Sequence, residues 1–271
     1  MDIIINDIQN ERPLAHIPLP HPGSLYQNIL YAMGYPLDAP PVANLLARYH
    51  GLTGEWLVAS PICWEATHND AMIIASGDSL DLSEEASKVW FDVFKESVAT
   101  LSCQVVFHDS HTWLIQMDDK PAISAKPPNH LHHQSMMPHL AVMDRTLFWQ
   151  RFFTENQMFF SAHPLNQARI ASFPINGLWI WGQGQLDAPS KTPIYCDEVY
   201  HSLAQNLSSN VHCIEPHQSI NEGVVFTQRC TDDLLDGLKQ PIKKQRMRWY
   251  WNNLAYASRP THWLWRLLER R

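Results

Sequence analysis

Hydrophobic and polar positions divide the chain into short, well-separated elements. It opens on an unbroken apolar run, Ile3-Ile4-Ile5, flanked by Asp2 and Asp7, which predicts a short strand buried on both faces. Residues 11–42 are rich in proline and histidine and read as irregular connections around one short helix near Leu25–Met33. Ala43–Tyr49 reads as a further helix, ended by Gly51. Glu55–Cys63 and Asp70–Ser76 are apolar, β-prone runs and predict a pair of strands. Leu82–Ala99 places Ala86, Val89, Trp90, Val93 and Phe94 at helical spacing, with Ser83 as the N-cap and Glu84 and Glu85 in the first turn. Cys103–Phe107 and Thr112–Met117 form a second predicted hairpin, turning at residues 108–111. The order β-β-α-β-β describes an antiparallel sheet covered by one helix. Lys120–Pro138 reads as a linker, and Phe148–Phe160 repeats aromatic pairs at helical spacing. Beyond it, Leu178–Trp181 and Val211–Ile214 read as strands, Cys196–Leu207 and Asp232–Leu238 as helices. This alternation suits an α/β layer.

Composition bounds the possibilities. The 271 residues, 45% of them hydrophobic, can bury a full core in one large domain or two small ones. No stretch approaches the roughly 18–20 apolar residues of a membrane helix, and Met1–Asp7 lacks the pattern of a signal peptide. The five cysteines form no CxxC pair; reduced core thiols and a cytoplasmic location are expected. The net charge of −7 conceals a basic C-terminal segment. From Pro241 onward eight Lys and Arg face one Glu, giving +7 there and −14 over the first 240 residues. Interleaved Trp249, Tyr250, Trp251, Trp263 and Trp265 could stack on nucleic-acid bases. A helix pair docking its aromatic face on an acidic body is the expectation preferred here, and that acidic body disfavours nucleic acid as a ligand.

Few segments carry candidate chemistry. His130, His132 and His133, near His139, are metal-ligand material, but no carboxylate or thiolate supports them within the segment, so a solvated loop is expected. His108-Asp109-Ser110-His111 holds the residue types of a hydrolase triad in one tight turn, where turn chemistry is the better account. The phosphate-loop patterns GxGxxG and GxxxxGK[ST] and the zinc motif HExxH are absent. The strongest constellation is His163-Pro164-Leu165-Asn166-Gln167-Ala168-Arg169, followed by Asn176-Gly177-Leu178-Trp179-Ile180-Trp181-Gly182-Gln183-Gly184. His163, Asn166, Arg169, Asn176 and Trp181 supply hydrogen-bonding groups suited to a carboxylate or phosphate. Gly182 and Gly184 allow a ligand or another chain segment to approach the backbone. The alternative is structural: His163 and Asn166 cap a junction, Arg169 pairs internally, and the tryptophans fill core.

HPLNQAR…INGLWIWGQG resembles the HPxNxxR…xNxLWLWGxG signature of the RpfE-type regulatory proteins, which are phosphoglycerate-mutase-like. A related pattern occurs in archaeal-type cofactor-independent phosphoglycerate mutases of the alkaline phosphatase superfamily. Trp56–Cys63 and Leu80–Ala86 extend the resemblance upstream, so it covers roughly residues 45–190. It implies a mixed α+β and α/β fold: a reduced alkaline-phosphatase-like core (1–50 and 140–271) with an inserted antiparallel lobe (51–119) and a linker (120–139). Mutases of that superfamily use two divalent metals and a Ser or Thr nucleophile. Here the first strand reads DIIINDIQN without an Asp-Gly motif, no Asp-His-Ser/Thr segment follows Gly184, and Trp181 stands where that pattern has Arg. The resemblance therefore implies a non-catalytic cytoplasmic protein without a cofactor, with a regulatory or binding role toward a small anion or a protein partner. The alternatives are a metal-dependent phosphoglycerate mutase or phosphatase, and anion or nucleic-acid binding through the basic C-terminal segment.

Overall fold

The computed structural model describes residues 1–9, 16–21, 23–66, 68, 70–216 and 218–258. The chain forms two compact units, one of residues 1–37 and 187–271 and one of residues 38–186. Together they are a mixed α/β structure. The division falls at 37/38 and 186/187, where the sequence predicted breaks at 50/51 and 139/140.

The first unit is built on strands β1 (Asp2–Ile5) and β2 (His16–Pro18) and helix α1 (Leu25–Ala32). The second unit contributes α2 (Val42–Tyr49), β3 (Leu57–Ala66), β4 (Ala71–Ser76), α3 (Glu84–Ser97), β5 (Cys103–Asp109) and β6 (Thr112–Met117). It continues with α4 (Met137–Met143), α5 (Phe148–Ser161) and β7 (Gly177–Trp181). The chain then returns to the first unit through β8 (Ile194–Cys196), α6 (His201–Ala204), β9 (Val211–Cys213), β10 (Val224–Thr227), α7 (Asp232–Gly237), α8 (Lys239–Lys244), β11 (Met247–Tyr250) and β12 (Ala255–Ser258).

In the first unit the strand order is β2-β12-β11-β1-β10-β8-β9. β11, β1, β10, β8 and β9 run parallel; β12 and β2 extend that sheet antiparallel. β1 lies between β10 and β11 with all four residues buried, which explains its unbroken apolar run. Ile3, Ile5, Val225, Leu234, Leu238, Met247, Trp249 and Tyr256 pack one core. Two expectations are corrected here. Cys196 closes strand β8, and only a short 3-10 turn and the four residues of α6 follow it. Trp249 and Tyr250 lie in β11 of an antiparallel hairpin with β12, not in a helix pair, and with Trp251 they are buried in the unit's interior. Residues 259–271, including Trp263 and Trp265, lie outside the described residues, as do 10–15 and 22 in the proline-rich stretch.

In the second unit the predicted β-β-α-β-β order is present, and β7 joins it as a fifth strand. β3 is its axis. β6 pairs with residues 57–59 of β3 and β4 with residues 62–66 along one edge, while β7 covers residues 58–62 along the other. Asn176 N–H donates to Ile62 C=O, so Ile62 points its polar groups toward β7 and Pro61 points its own to the opposite edge. The N–H that Pro61 lacks thus falls in the gap between β6 and β4, where no ladder bond is needed. α3 and α5 carry the aromatic cover: Trp90 stacks on Phe160, Phe94 on Trp113, and Phe153 on Trp179. Ser83 caps α3 as predicted, accepting from Ala86 N–H at 3.2 Å. Residues 120–139 are part of this unit. Ile73 bridges to His132 and Met72 to Ser135, and residues 137–143 form α4.

Candidate functional site

The constellation from His163 to Gly184 lies in the second unit, and the side chains of Asn166, Arg169 and Asn176 bond the chain's own backbone. His163 caps a short 3-10 turn, its Nδ1 accepting from Leu165 N–H at 3.3 Å, while its ring packs on Trp90. Asn166 is matched at both ends: Nδ2 donates to the carbonyls of Phe160 and Ile175, each at 3.0 Å, and Oδ1 accepts Ile175 N–H at 2.9 Å. Arg169 donates through Nε to Phe173 C=O at 2.8 Å and through a terminal nitrogen to Leu80 C=O. Burial draws its pKa down, against the opposing charge of Asp81.

Asn176 sits one residue before β7 and continues that strand's pairing with its side chain. Its Oδ1 accepts Trp64 N–H at 2.9 Å and its Nδ2 donates to Trp64 C=O at 2.8 Å, beside the register shift between Cys63 and Trp64. Trp181 is buried and donates from Nε1 to Ser60 Oγ at 3.0 Å. Gly182 has φ +79°, its carbonyl accepts Ala43 N–H at 3.1 Å, and a Cβ there would stand 2.9 Å from Val58 Cγ2. Gly184, at φ +130°, passes close over Pro41. The close approach that both glycines permit is to another segment of the same unit. These residues form a clamp that holds β7 against β3 and the start of α2.

The histidines of residues 130–133 do not converge. His130 Nδ1 lies 3.6 Å from Asp38, whose carboxyl is held below its ordinary value first by the Lys126 hydrogen bond, at 2.9 Å. His132 Nε2 lies 2.7 Å from Ser76 Oγ, and burial followed by the neighbouring His133 lowers its pKa. In the 108–111 turn, Asp109 Oδ1 accepts His111 N–H at 2.9 Å, a local side-chain turn.

A different polar cluster, which the sequence did not single out, stands at the carboxyl ends of the parallel strands in the first unit. That edge is where open parallel sheets offer a ligand site. Asn6, directly after β1, donates from Nδ2 to Tyr200 OH at 2.9 Å and accepts from Asn252 Nδ2 at 3.0 Å. Asn252 follows β11, and its N–H donates to Asp7 C=O at 3.0 Å. After β8, Asp197 accepts from Gln228 N–H at 2.6 Å and from Thr227 Oγ1 at 3.1 Å. α1 supplies Asn28, fully buried, whose Nδ2 donates to Trp251 C=O at 3.2 Å; His21 Nε2 donates to the same carbonyl at 3.1 Å. Burial raises the Tyr200 phenol and pushes the Cys196 thiol up to about 12, so both stay protonated near neutrality. Asn28 Oδ1 and Asn252 Oδ1 are buried acceptors without a partner among the described residues. Orphaned buried acceptors of this kind mark a place for a bound water or ligand donor.

A two-metal centre does not fit this edge. Asp7 and Asp197 already accept backbone N–H groups, His21 Nε2 is engaged with Trp251 C=O, and Cys196 is held as a thiol. The other side chains are amides and hydroxyls, which are poor substitutes for carboxylate and imidazole ligands. Among the described residues no three His, Cys, Asp or Glu side chains come together in a way that could hold a metal ion. Nor is any described helix long and apolar enough to cross a membrane.

No family model matches the sequence, and no curated protein matches it. In structure the chain is similar to the cofactor-independent phosphoglycerate mutase from Thermoplasma acidophilum DSM 1728. The two share 12% identity over 95% of this chain and 88% of that one, with a TM-score of 0.37.

Proposed function

We propose that the protein is a non-catalytic binding protein with a regulatory role, of RpfE-like type, and that its ligand occupies the carboxyl edge of the parallel sheet in the first unit. One observation carries the reading. Asn6, Tyr200 and Asn252 bond one another into a fixed array, while Asn28 Oδ1 and Asn252 Oδ1 remain buried acceptors without donors. An unmatched buried acceptor costs about 1–3 kcal/mol, and a ligand bringing hydroxyl or ammonium donors recovers that free energy. The edge also holds the carboxylates of Asp7 and Asp197, so it favours a neutral polyol or an amino alcohol over the small anion expected from the sequence. The donors that suggested an anion, on Asn166 and Arg169, bond backbone carbonyls.

The test uses the purified full chain. Phosphoglycerate interconversion is measured with and without added Mg2+, Mn2+ and Co2+, and thermal unfolding is followed against glycerol, glucosamine and ethanolamine. No metal-dependent turnover is expected, together with a saturable rise in melting temperature for one of the three compounds. Asn6→Ala removes that rise; Asn166→Ala lowers the starting melting temperature and leaves the rise intact. Metal-dependent turnover overturns the non-catalytic reading in favour of the mutase alternative. Failure of all three compounds overturns the donor-rich ligand class.

A further inference from the structure

In the second unit, two histidines far apart in sequence face each other nitrogen to nitrogen. His50 caps the C-terminal end of α2, and His108 lies near the end of β5. His50 Nε2 and His108 Nδ1 are 2.8 Å apart, with the rings nearly perpendicular, at 86°, and their centroids 5.0 Å apart. Tyr49 packs edge-on against both rings. His50 is exposed, and the His108 side chain keeps 10% of its surface. Asp109 Oδ2 lies 3.9 Å from His108 Nε2, on the far side of that ring.

The carboxylate charge, 3.9 Å away and so beyond hydrogen-bond distance, biases the tautomer. A proton on His108 Nε2 is favoured by Asp109, which leaves His108 Nδ1 as a lone pair accepting from His50 Nε2–H. A metal-bound histidine shows the same pattern: one nitrogen presents its lone pair to the ion while the other is oriented by a carboxylate. We propose that His50 and His108 form an open transition-metal site, binding a borderline ion of the Zn2+, Ni2+ or Cu2+ class through His50 Nε2 and His108 Nδ1, with water completing the coordination.

The geometry is close to what such an ion needs. Metal–nitrogen bonds of about 2.0–2.1 Å at a tetrahedral angle place the two nitrogens roughly 3.3 Å apart. The pair must open by about 0.5 Å, and His50 sits on the last turn of a surface helix, where a small rotation suffices. The proton balance is simple. His50 moves its ring proton from Nε2 to Nδ1 through solvent, His108 keeps its own on Nε2, and no proton is released when both rings start neutral. Burial lowers both pKa values, with Asp109 raising and His50 further lowering that of His108, so both lone pairs are available near pH 7. The site has two protein ligands, which suits imidazole-preferring ions and excludes Mg2+ and Ca2+.

Calorimetric titration of the EDTA-treated full chain with ZnCl2 or NiCl2 at pH 7.5 tests the proposal. Saturable binding of one equivalent is expected, with no binding of MgCl2. His50→Ala and His108→Ala each weaken it at least tenfold, and the double variant is no worse than either alone. His133→Ala leaves it unchanged, and Asp109→Asn weakens it severalfold. Circular dichroism confirms that each variant is folded, and histidine 15N shifts show His50 changing tautomer on metal addition. Absence of one-equivalent binding, or binding indifferent to His50→Ala in the folded variant, overturns the site.

Discussion

Replacing Asn176 tests the clamp most directly. The side chain makes two hydrogen bonds to the backbone of Trp64, a residue only 6% exposed, at the point where β4 shifts register and β7 has not yet begun. Asn176→Ala leaves that N–H and C=O without their partner. Each buried orphan costs about 1–3 kcal/mol. Because Asn176 itself is half-buried, water recovers part of the loss, so the expected cost is about 2–4 kcal/mol, a large share of a typical domain's 5–15 kcal/mol. Asn176→Asp is the sharper variant. It keeps the acceptor facing Trp64 N–H but sets a carboxylate oxygen against Trp64 C=O. Its cost at neutral pH equals or exceeds that of alanine and eases below about pH 4, where a protonated carboxyl can donate. Seven of the eleven tryptophans lie in residues 38–186, so urea unfolding followed by tryptophan fluorescence reports on this unit. The midpoint should fall with an unchanged slope. A loss below about 0.5 kcal/mol in Asn176→Ala, with the fold intact, would refute the claim that this side chain substitutes for a strand partner.

Two further outcomes follow from the same unit. Gly182→Ala meets Val58 Cγ2 at 2.9 Å and Ala43 N at 3.3 Å from a backbone at φ +79°, whereas Gly51→Ala, at φ +66°, has nothing within 4 Å. The first should cost about 2–4 kcal/mol and the second about 1 kcal/mol in the same urea titration, and equal losses would show that the close approach contributes nothing. Burial would raise the Asp144 carboxyl, but bonds from the Thr146 hydroxyl and from the N–H groups of Trp149, Thr146 and Phe148 outweigh it and hold its pKa below the ordinary value. A depressed folded pKa means the contribution is complete above the ordinary carboxylate range and is lost as pH falls through the lowered value. Asp144→Asn should flatten that acid limb of the stability curve at the start of α5, and an unaltered limb would remove Asp144 from the account.

The antiparallel lobe was legible because its signals are local. Alternating and periodic apolar runs, Ser83 at a helix start and residues 108–111 between two strands each predict their element from a few neighbours. The parallel sheet was legible only at β1 and β9. β8, β10 and β11 are three or four residues long, too short for a period to register, and they find partners far along the chain: Asp2 pairs with Val224 on one side and Arg248 on the other. Trp249 and Tyr250 suggested the docked aromatic face of a helix pair because the sequence does not reveal that β12 pairs with β11. The candidate site was illegible for the same reason. Asn6, Asn28, Tyr200, Asn252 and Asp197 stand on five separate segments, and none belongs to a local motif.

Asparagines occupy both the clamp and the carboxyl edge, and the bookkeeping of their amides separates the two. An amide offers a two-donor nitrogen and an acceptor oxygen, and in a buried setting it is structurally complete when both ends are engaged. Asn166 and Asn176 are complete, each closing on backbone groups of its own unit. Asn156 closes in the same way, donating to Phe152 C=O and accepting from Ser97 Oγ. Asn28 and Asn252 are engaged only at nitrogen. In the His163–Gly184 signature, Asn166, Asn176, Trp181 and Gly182 therefore contribute to fastening β7 to β3. Open amide oxygens occur in both units, Asn44 Oδ1 and Gln183 Oε1 in the second and Asn28 Oδ1 and Asn252 Oδ1 in the first. The pair that sits at strand ends is Asn28 and Asn252, beside the ends of β1 and β11. If a ligand acts on this protein, its hydrogen bonds should be sought there, and a substitution in the clamp should alter stability before it alters binding.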